Sequence, residues 1–386
     1  MNTAFDVLVI GAGFAGAVAA REMAERGNKR VLVIESRHHV GGNAYDCTDA
    51  AGILVHRYGP HIFHTNDKRV YDYLSRFTRW RDYQHRVVAN VYGQLMPVPF
   101  NLRSLSVAFG DERAEELEQK LLSVYGPERK VTILELRQAT DPDLSALADY
   151  VYENIFLHYT MKQWGTSPEE IDPNVTARVP IFLSRDDRYF QDQWQGMPAD
   201  GYTPLFQRML DHPNLTVETG TDAFSVLSAG EDSLLVNGEA FSGLVIYTGA
   251  VDELFSCRFG RLPYRTLDFR FESIPVEWHQ THGTVNYTVS EDYTRITEFK
   301  HLTGQVKKDC TTIVREYPRS YEGGTDDIPY YPIQNTENNA LYGQYKSLAE
   351  RFSNLCLLGR LAEYQYYNMD TITAHALNLA DTLLHQ

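Results

Sequence analysis

The first 35 residues constrain the fold more strongly than any other part of the chain. Residues 7–10 form an apolar, β-branched run, which is typical of a buried parallel strand. This run is followed by Gly11-Ala12-Gly13-Phe14-Ala15-Gly16 and a helical pattern over residues 17–26, and a second apolar run, 31–34, ends on Glu35. A G-x-G-x-x-G sequence between strand and helix, with an acid after the second strand, predicts a dinucleotide-binding βαβ unit.

Each position of this pattern has a separate physical role. Gly11 permits the tight turn, Gly13 lets the backbone approach a pyrophosphate, and Gly16 lets helix and strand pack closely. Phe14 lies between these glycines, in the segment expected to border the cofactor, and the helix N-terminus favours an anion. Glu35 lies where a carboxylate can accept hydrogen bonds from an adenosine ribose. The alternative interpretation of the glycines is a turn with a structural role only.

Two further glycine sequences favour FAD over a nicotinamide cofactor. Gly41-Gly42-Asn43 places a glycine pair shortly after the ribose acid, as in FAD-binding chains, although an ordinary turn could also contain such a pair. Near the other end, a buried-strand pattern at 355–358 is followed by Gly359-Arg360 and by an amphipathic helix from about residue 371 onward. A strand, a glycine and a helix in this order can close over the flavin half of FAD.

The rest of the chain predicts two insertions into this dinucleotide-binding domain. Helical patterns at 111–125 and from about residue 141 to Gly165 predict a helical domain, and β-rich runs at 83–99 and 266–316 predict an antiparallel sheet. The predicted fold is α/β, with a discontinuous Rossmann-like FAD-binding domain, an inserted helical domain and an antiparallel β-sheet domain. The predicted boundaries are 1–80, 205–250 and 333–386 for the FAD-binding domain, 100–180 for the helical domain, and 81–99, 183–204 and 251–332 for the sheet domain.

Composition excludes several classes of partner. The 386 residues contain 36 Lys and Arg against 51 Asp and Glu, a net charge of −15, and so acidic a surface repels nucleic acid and anionic lipid. The four cysteines are far apart and lack zinc-type spacing, so no metal site is predicted. No apolar run approaches the ~20 residues of a membrane helix, and no signal peptide is indicated, so the cytoplasm is the expected compartment. An anionic substrate would need a local cluster of arginines.

Seven short motifs follow one another along the chain in a characteristic order. The motifs are YGPHIFHT at 58–65, YTMKQW at 159–164, DDRYF at 186–190, GMP at 196–198 with GYT at 201–203, YRTL at 264–267, YYP at 330–332 and GRL at 359–361. In these motifs and their order the chain resembles the UDP-galactopyranose mutases of bacterial type. The resemblance extends over essentially the whole chain and not only over the nucleotide-binding part.

The resemblance implies a flavin-dependent isomerase that interconverts UDP-galactopyranose and UDP-galactofuranose. It further implies activity with reduced FAD only, a covalent adduct between the flavin N5 atom and galactose, and no net redox change. The product would supply galactofuranose for cell-surface glycans, and the protein would be a homodimer or a larger homo-oligomer.

The resemblance also assigns residues to the diphosphate. Arg178 and Arg360 match the two family arginines that hold it, and Arg178 falls in a segment that matches the mobile lid, near residues 170–182. An arginine suits this role because its planar fork binds phosphate oxygens bidentately and stays charged. Tyr331 and Tyr366 match tyrosines that donate hydroxyl hydrogen bonds to the diphosphate, and Arg265 matches a third arginine near the site.

The remaining site residues are assigned in the same way, and several have plain structural alternatives. Phe156 and Tyr159 match the uracil-stacking positions, while Trp164 and Tyr189 match residues beside the sugar and the linking phosphate. Glu316 matches a site carboxylate, although it could equally be a buried partner of Arg315 or Arg265. His61 and His64 lie in the segment that matches the family's flavin-side residues, where one of them could respond to flavin reduction by protonation; either could instead be a hydrogen-bonded structural histidine. Met369 is expected near the cofactor, and Asn368 occupies a position where the family commonly has aspartate.

Two other functions share parts of this pattern. A flavin oxidase or dehydrogenase acting on an amine or an alcohol would have the same βαβ start and the same C-terminal Gly-Arg element. It would not need phosphate-binding arginines or a base-stacking pair. A non-catalytic nucleotide-binding protein that uses FAD structurally would bind UDP and form no sugar isomer.

Overall fold

A five-stranded parallel sheet is assembled from separated parts of the chain. The computed structural model describes residues 5–165, 167, 180–324 and 327–385. All neighbouring strands of this sheet run parallel, which confirms the α/β, Rossmann-like prediction. Across the sheet the order is Leu215–Thr219, Val31–Glu35, Val7–Ile10, Leu244–Tyr247 and Leu355–Leu357.

Both faces of the parallel sheet are covered, so its strands are apolar on both sides. Val7 and Val9 point into one core, and Leu8 and Ile10 point into the other. The helices of the first face are Phe14–Glu25, Lys68–Ser75, Tyr202–Leu210 and Met369–Leu384. The second face carries the helices Val251–Leu254 and Thr336–Ala349, the short turn Ala223–Ser225, and a small antiparallel sheet of Leu227–Ala229, Leu234–Val236 and Glu239–Ala240.

A seven-stranded sheet forms the second layer of the molecule. Its strands pair antiparallel except at one position, where Thr284–Tyr287 runs parallel to Val87–Val91. The sheet is therefore mixed rather than purely antiparallel, because a hairpin from early in the chain is added to its edge. The order is Tyr331–Pro332, Tyr264–Ile274, Thr311–Ser320, Arg295–Glu298, Thr284–Tyr287, Val87–Val91 and Gln94–Val98.

A group of helices packs beside the seven-stranded sheet. Asp141 accepts hydrogen bonds from the backbone N–H groups of Asp143 and Leu144, and Pro142 occupies the first helical turn, which explains why a helix begins there. The helix that begins at Pro142 continues into a π-helical segment, Tyr152–Leu157, which rotates the side chains after it about the helix axis relative to a regular α-helix. The helices are Leu102–Phe109, Asp111–Tyr125, Ile133–Arg137, Pro142–Val151 and His158–Trp164.

The remaining elements are short and connect these layers. The strand Trp194–Pro198, which the sequence groups with the sheet domain, pairs with Phe63–Thr65 and Trp80–Asp82 in a separate three-stranded sheet. None of the helices in the described ranges is long and apolar enough to cross a bilayer. The other elements are the strand pairs Asp46–Thr48 with Leu54–His56 and Lys130–Val131 with Ile181–Phe182, the helix Phe299–Thr303 and the turn Gly42–Ala44.

Candidate functional site

A cavity of about 350 Å³ lies at the carboxyl ends of the parallel strands. This is the edge at which open α/β sheets bind their ligands, and the N-terminus of the helix Phe14–Glu25 opens onto it. The predicted cofactor residues in its wall are Gly11, Gly13, Phe14, Glu35, Gly42, Asn43, His61, Gly359, Arg360 and Met369.

Two close backbone approaches shape this cavity. A Cβ atom on Gly16 would collide with the carbonyl oxygen of Gly11, so Gly16 serves helix packing and lies outside the cavity wall. A Cβ atom on Gly42, whose φ is +55°, would lie 2.9 Å from the Cα atom of Gly13. The two glycine segments therefore form a narrow backbone cradle that a side chain would fill, as a pyrophosphate site requires.

The polar groups of the cradle fit a dinucleotide. Glu35 is buried and accepts hydrogen bonds from the backbone N–H groups of Ala12 and Arg37, both at 3.0 Å, which fixes its carboxylate in the cavity wall. Arg37 donates from Nη2 to Asn43 at 2.9 Å, whereas its buried Nη1 has no partner among the described residues. An unpaired buried donor indicates a ligand oxygen at this point, and Arg37 was not predicted from the sequence.

A second cavity, of about 370 Å³, meets the first one. Asn43, His61, Arg360 and Met369 line both cavities, so these residues mark the junction. Its other walls come from the seven-stranded sheet and from the helix His158–Trp164. The predicted site residues that it brings together are His61, His64, Tyr159, Tyr189, Tyr331, Arg360, Tyr366 and Asn368.

Arg360 is oriented at this junction by neutral groups. Its Nη1 donates to the carbonyl oxygen of Tyr330 at 3.0 Å, and its Nη2 donates to that of Tyr367 at 2.7 Å. The guanidinium lies 4.5 Å from the ring centroid of Tyr366. Since the hydrogen bonds of Arg360 within the described ranges go to carbonyl oxygens and not to a carboxylate, its positive charge remains available to an anionic ligand.

Arg295 is the main cavity residue that sequence reasoning missed. Its Nε donates to Oε1 of Glu316 at 2.7 Å across neighbouring strands, and Glu316 is 1% exposed. Glu316 therefore lies behind the cavity wall as the partner of Arg295, not of Arg315 or Arg265, since Arg315 pairs with Glu272. The strand Arg295–Glu298 has the sequence RITE, in which Ile296 is the only apolar residue, so no apolar pattern marked Arg295 as a cavity residue. The cavity residues His85, Asn286 and Tyr330 were missed as well.

Two histidines of the site, His61 and His85, are held uncharged by burial. The Nδ1 atom of His61 lies 2.8 Å from the carbonyl oxygen of Gly59, and its backbone N–H donates to Nδ1 of His56 at 2.9 Å. Burial, together with repulsion between the protonated forms of His61 and His56, lowers the pKa of His61 to about 3, and burial lowers the pKa of His85 to about 3. His61 is therefore neutral near pH 7. Its protonation in response to flavin reduction remains a prediction, and it would require the pKa of His61 to rise well above about 3.

His64 has a different environment. Its Nδ1 lies 3.0 Å from Oδ2 of Asp192, and its ring stacks on Phe190 with centroids 3.6 Å apart. The hydrogen bond from His64 lowers the pKa of Asp192. These contacts fix the imidazole in the wall of the second cavity.

The tyrosines supply hydroxyl groups that stay protonated. Tyr331 and Tyr366 stack with their centroids 5.9 Å apart, next to Arg360. Burial raises the pKa of Tyr331 to about 12, and burial also raises the pKa of Tyr159. Both hydroxyls therefore remain available as hydrogen-bond donors to an anion.

Besides Glu316, four predicted site residues lie outside the second cavity or outside the described residues. Phe156 is 2% exposed and borders a separate space of about 20 Å³ with Tyr159. The ring of Trp164 lies 6.0 Å from that of Tyr331. Arg265 donates to the carbonyl oxygens of Lys162 and Gln163. Arg178 and the segment assigned to the lid, except residues 180–182, lie outside the described residues.

Asn368 occupies the position before the helix Met369–Leu384, in the wall of the second cavity. Its side chain makes no capping hydrogen bond to that helix. The partial positive charge of the helix N-terminus therefore faces the junction beside Arg360, without the carboxylate that an aspartate would place there. The arrangement offers a dinucleotide cradle joined to a cavity suited to an anion.

Comparison with known proteins gives two matching family models and relatives of nearly equal length. Residues 154–366 match the family model "UDP-galactopyranose mutase", and residues 9–77 match "NAD(P)-binding Rossmann-like domain". The UDP-galactopyranose mutase of Mycoplasma pneumoniae is 36% identical, over 98% of this chain and 96% of its own length. The dTDP-fucopyranose mutase of Escherichia coli is also 36% identical, over 97% of each chain.

The fold is similar to that of a solved structure. A crystal structure of reduced UDP-galactopyranose mutase superposes with a TM-score of 0.73, covers 99% of this chain and 94% of its own, and is 15% identical in sequence.

Proposed function

The chain belongs to the UDP-galactopyranose mutase family, whose members are flavin-dependent nucleotide-sugar mutases, and on that basis we propose that it interconverts UDP-galactopyranose and UDP-galactofuranose. The family predicted from the sequence motifs is thereby confirmed, while the sugar nucleotide is our proposal. The observation that carries the proposal is the junction at Arg360, where the dinucleotide cradle meets a cavity suited to an anion.

The cradle is the proposed site of FAD. Gly13 and Gly42 would border its pyrophosphate, Glu35 its ribose, and His61 and Met369 its flavin end at the junction. When bound in the reduced form, FAD supplies a nucleophile that lets one difficult isomerisation proceed as easier steps. The protein has to hold the sugar at the junction, retain the nucleotide and keep water out.

The arginines are proposed to bind the diphosphate. Arg360 lines both cavities, so a diphosphate bound to it brings the attached sugar to the flavin end of the cradle. Negative charge grows on the diphosphate as its bond to the sugar breaks, and a preoriented guanidinium stabilises that charge. Arg295 adds a second guanidinium in the wall, although Glu316 balances its charge. We propose that Arg178 contributes a third.

Aromatic side chains are proposed to hold the rest of the nucleotide. Tyr331 and Tyr366 would donate hydroxyl hydrogen bonds to the diphosphate beside Arg360. Phe156 and Tyr159 would bind the uracil base, by stacking worth about 1–3 kcal/mol per base. Because Phe156 is buried, Tyr159 is the stronger candidate for direct contact. Trp164 and Tyr189 would border the sugar and the linking phosphate.

A second substrate pair is supported by one relative. The Escherichia coli dTDP-fucopyranose mutase is as similar as the Mycoplasma pneumoniae enzyme. dTDP-fucose differs in its base, in the sugar of the nucleoside and at C6 of the hexose. The same cradle and the same arginines would serve both substrates.

The test is conversion of the furanose donors by protein reduced with dithionite. UDP-galactofuranose and dTDP-fucofuranose are supplied separately, and the products are separated by chromatography. We expect conversion of UDP-galactofuranose by reduced protein and very little by oxidised protein. Faster conversion of dTDP-fucofuranose would assign the second substrate pair. Equal conversion by oxidised and reduced protein would overturn the role of reduced FAD, and steady oxygen consumption with an amine would favour an oxidase.

A further inference from the structure

Arg265 is a buried cation that binds neutral groups. It is 6% exposed, and its three hydrogen bonds run from Nε to the carbonyl oxygen of Gln163, from Nη2 to that of Lys162 and from Nη1 to Oγ of Ser320, at 3.0–3.1 Å. No carboxylate pairs with it in the part of the chain that the structure describes. Burying a positive charge without a carboxylate partner costs free energy, so we expect the buried guanidinium to have a specific structural or functional role.

The two carbonyl oxygens belong to the end of the helix His158–Trp164. The last carbonyl groups of a helix have no partners within the helix and carry its negative dipole end, so a guanidinium fork binds them well. Gly165 follows in the left-handed conformation, with φ of +70°, and a Cβ atom there would lie 2.7 Å from Nη1 of Arg265. The glycine therefore makes room for the arginine.

The position of Arg265 in the sheet links this helix end to the second cavity. Arg265 lies opposite Tyr331 on the neighbouring strand, so both side chains are on one face of the sheet. Tyr331 lines the cavity, and its ring lies 6.0 Å from that of Trp164, at the end of the same helix. Arg265 itself lies outside the cavity wall.

A second cation holds the helix end from the other direction. Nζ of Lys162 donates to the carbonyl oxygens of Tyr287, Glu291 and Tyr293, at 2.7, 2.9 and 3.2 Å. These carbonyl groups lie at and after the end of the strand Thr284–Tyr287. The helix end is therefore tied to the seven-stranded sheet by Arg265 on one side and by Lys162 on the other.

We propose that Arg265 is a positioning residue, which fixes the end of the helix His158–Trp164 and thereby places Tyr159 and Trp164 for binding of a nucleoside diphosphate. The inference rests on the proposed function, because it takes the second cavity to be the nucleotide site. The sequence resemblance places this arginine near the site and leaves its role there open.

The chain contains a matched control for this arrangement. Arg81 also donates to carbonyl oxygens at the end of a helix, those of His301 and Leu302 in Phe299–Thr303. Gly304 follows with φ of +74°, and a Cβ atom there would lie 3.1 Å from Arg81. No residue of that helix lines either cavity. If the substitutions act only by removing hydrogen bonds at a helix end, they should therefore lower stability to a similar extent at both helices.

The experiment compares Arg265→Lys and Gly165→Ala with Arg81→Lys and Gly304→Ala in the FAD-loaded protein. Lysine keeps the positive charge but cannot donate to two carbonyl oxygens in the geometry of a guanidinium. Each alanine places a Cβ atom against the arginine side chain and so disturbs the same contact. Binding of UDP and of dTDP is measured by titration calorimetry, with the melting temperature and the FAD content as measures of folding. We expect the first pair to weaken binding of the preferred nucleotide at least about tenfold and the control pair to stay within about twofold, with similar losses of melting temperature in the two pairs.

Two results would overturn the inference. Equal nucleotide affinity in all four variants and the wild type would show that the contact is only structural. Equal weakening of nucleotide binding in both pairs would show that the variants act through a general loss of stability and not through displacement of the helix His158–Trp164. If the wild type bound neither nucleotide, the proposed function itself would fail, and the inference would fail with it.

Discussion

Lowering the pH from 7 to 5 should destabilise the folded protein through three buried histidines. Burial lowers the pKa of His56 to about 4 and those of His61 and His85 to about 3, so all three stay uncharged in the folded protein. In the unfolded chain each regains a pKa of about 6.5 and binds a proton as the pH falls. A histidine with a lowered pKa in the folded state therefore contributes stability above pH ~6.5, which is lost as the pH falls toward the folded value.

The size of the loss follows from these values. At pH 5, about 1.5 units below the unfolded pKa, each histidine lowers the free energy of unfolding by about 2 kcal/mol, since one unit corresponds to about 1.4 kcal/mol. Three histidines together give about 6 kcal/mol, which is comparable with the whole stability of many domains. Ordinary carboxylates titrate near pH 4 when unfolded, so they contribute little within this range. Burial raises the pKa values of Asp46, Asp252 and Glu253, so proton uptake by these carboxylates in the folded state offsets part of the loss.

The assay is urea unfolding followed by circular dichroism at pH 7, 6 and 5. His85→Gln removes one of the three groups, so its loss between pH 7 and 5 should be smaller than that of the wild type by about 2 kcal/mol, whatever its stability at pH 7. His385→Gln, at an exposed position, is the control and should retain the full loss. A wild-type loss below about 2 kcal/mol, or the same loss in His85→Gln as in the wild type, would refute the assignment of buried neutral histidines.

Three substitutions test the cavity itself. Arg360→Ala should lower turnover more than about a hundredfold, because it removes the unpaired cation at the junction, while retained FAD absorbance checks the cradle. Glu316→Gln should lower the free energy of unfolding by about 3 kcal/mol in urea titrations, because Arg295 then loses its buried partner. Asn368→Asp should weaken UDP binding severalfold in titration calorimetry, because a carboxylate then faces the junction beside Arg360. Unchanged turnover in Arg360→Ala, unchanged stability in Glu316→Gln or unchanged UDP affinity in Asn368→Asp would contradict the role assigned to that residue.

The nucleotide-binding half of the fold could be predicted because its information is local. The strand Val7–Ile10 has the predicted bounds, and the strand Val31–Glu35 ends on Glu35 as predicted. In both cases apolar periodicity and glycine positions within a few residues determine the element. The cofactor residues were found in the same way, since the glycines and Glu35 belong to one continuous βαβ sequence.

The second cavity could be predicted only through the family resemblance, because its walls come from distant strands. Arg295 and Glu316 face each other only once the seven-stranded sheet has formed, and neither lies in a short motif. The π-helical segment Tyr152–Leu157 also shifts the helical register. Phe156 lies within the π-helical segment and is buried in the helical core. Tyr159 follows the segment and lines the cavity. A regular 3.6-residue period cannot predict that separation.

The acidic protein keeps positive charge in its site by binding cations to carbonyl groups. On the surface, arginines such as Arg30 and Arg69 pair with aspartates, which cancels their charge. Arg360 and Arg265 instead donate to backbone carbonyl oxygens, which orient a guanidinium and leave its charge uncompensated. The buried histidines are neutral, so they do not supply the charge that a diphosphate needs. Affinity for the nucleotide should therefore follow the arginines.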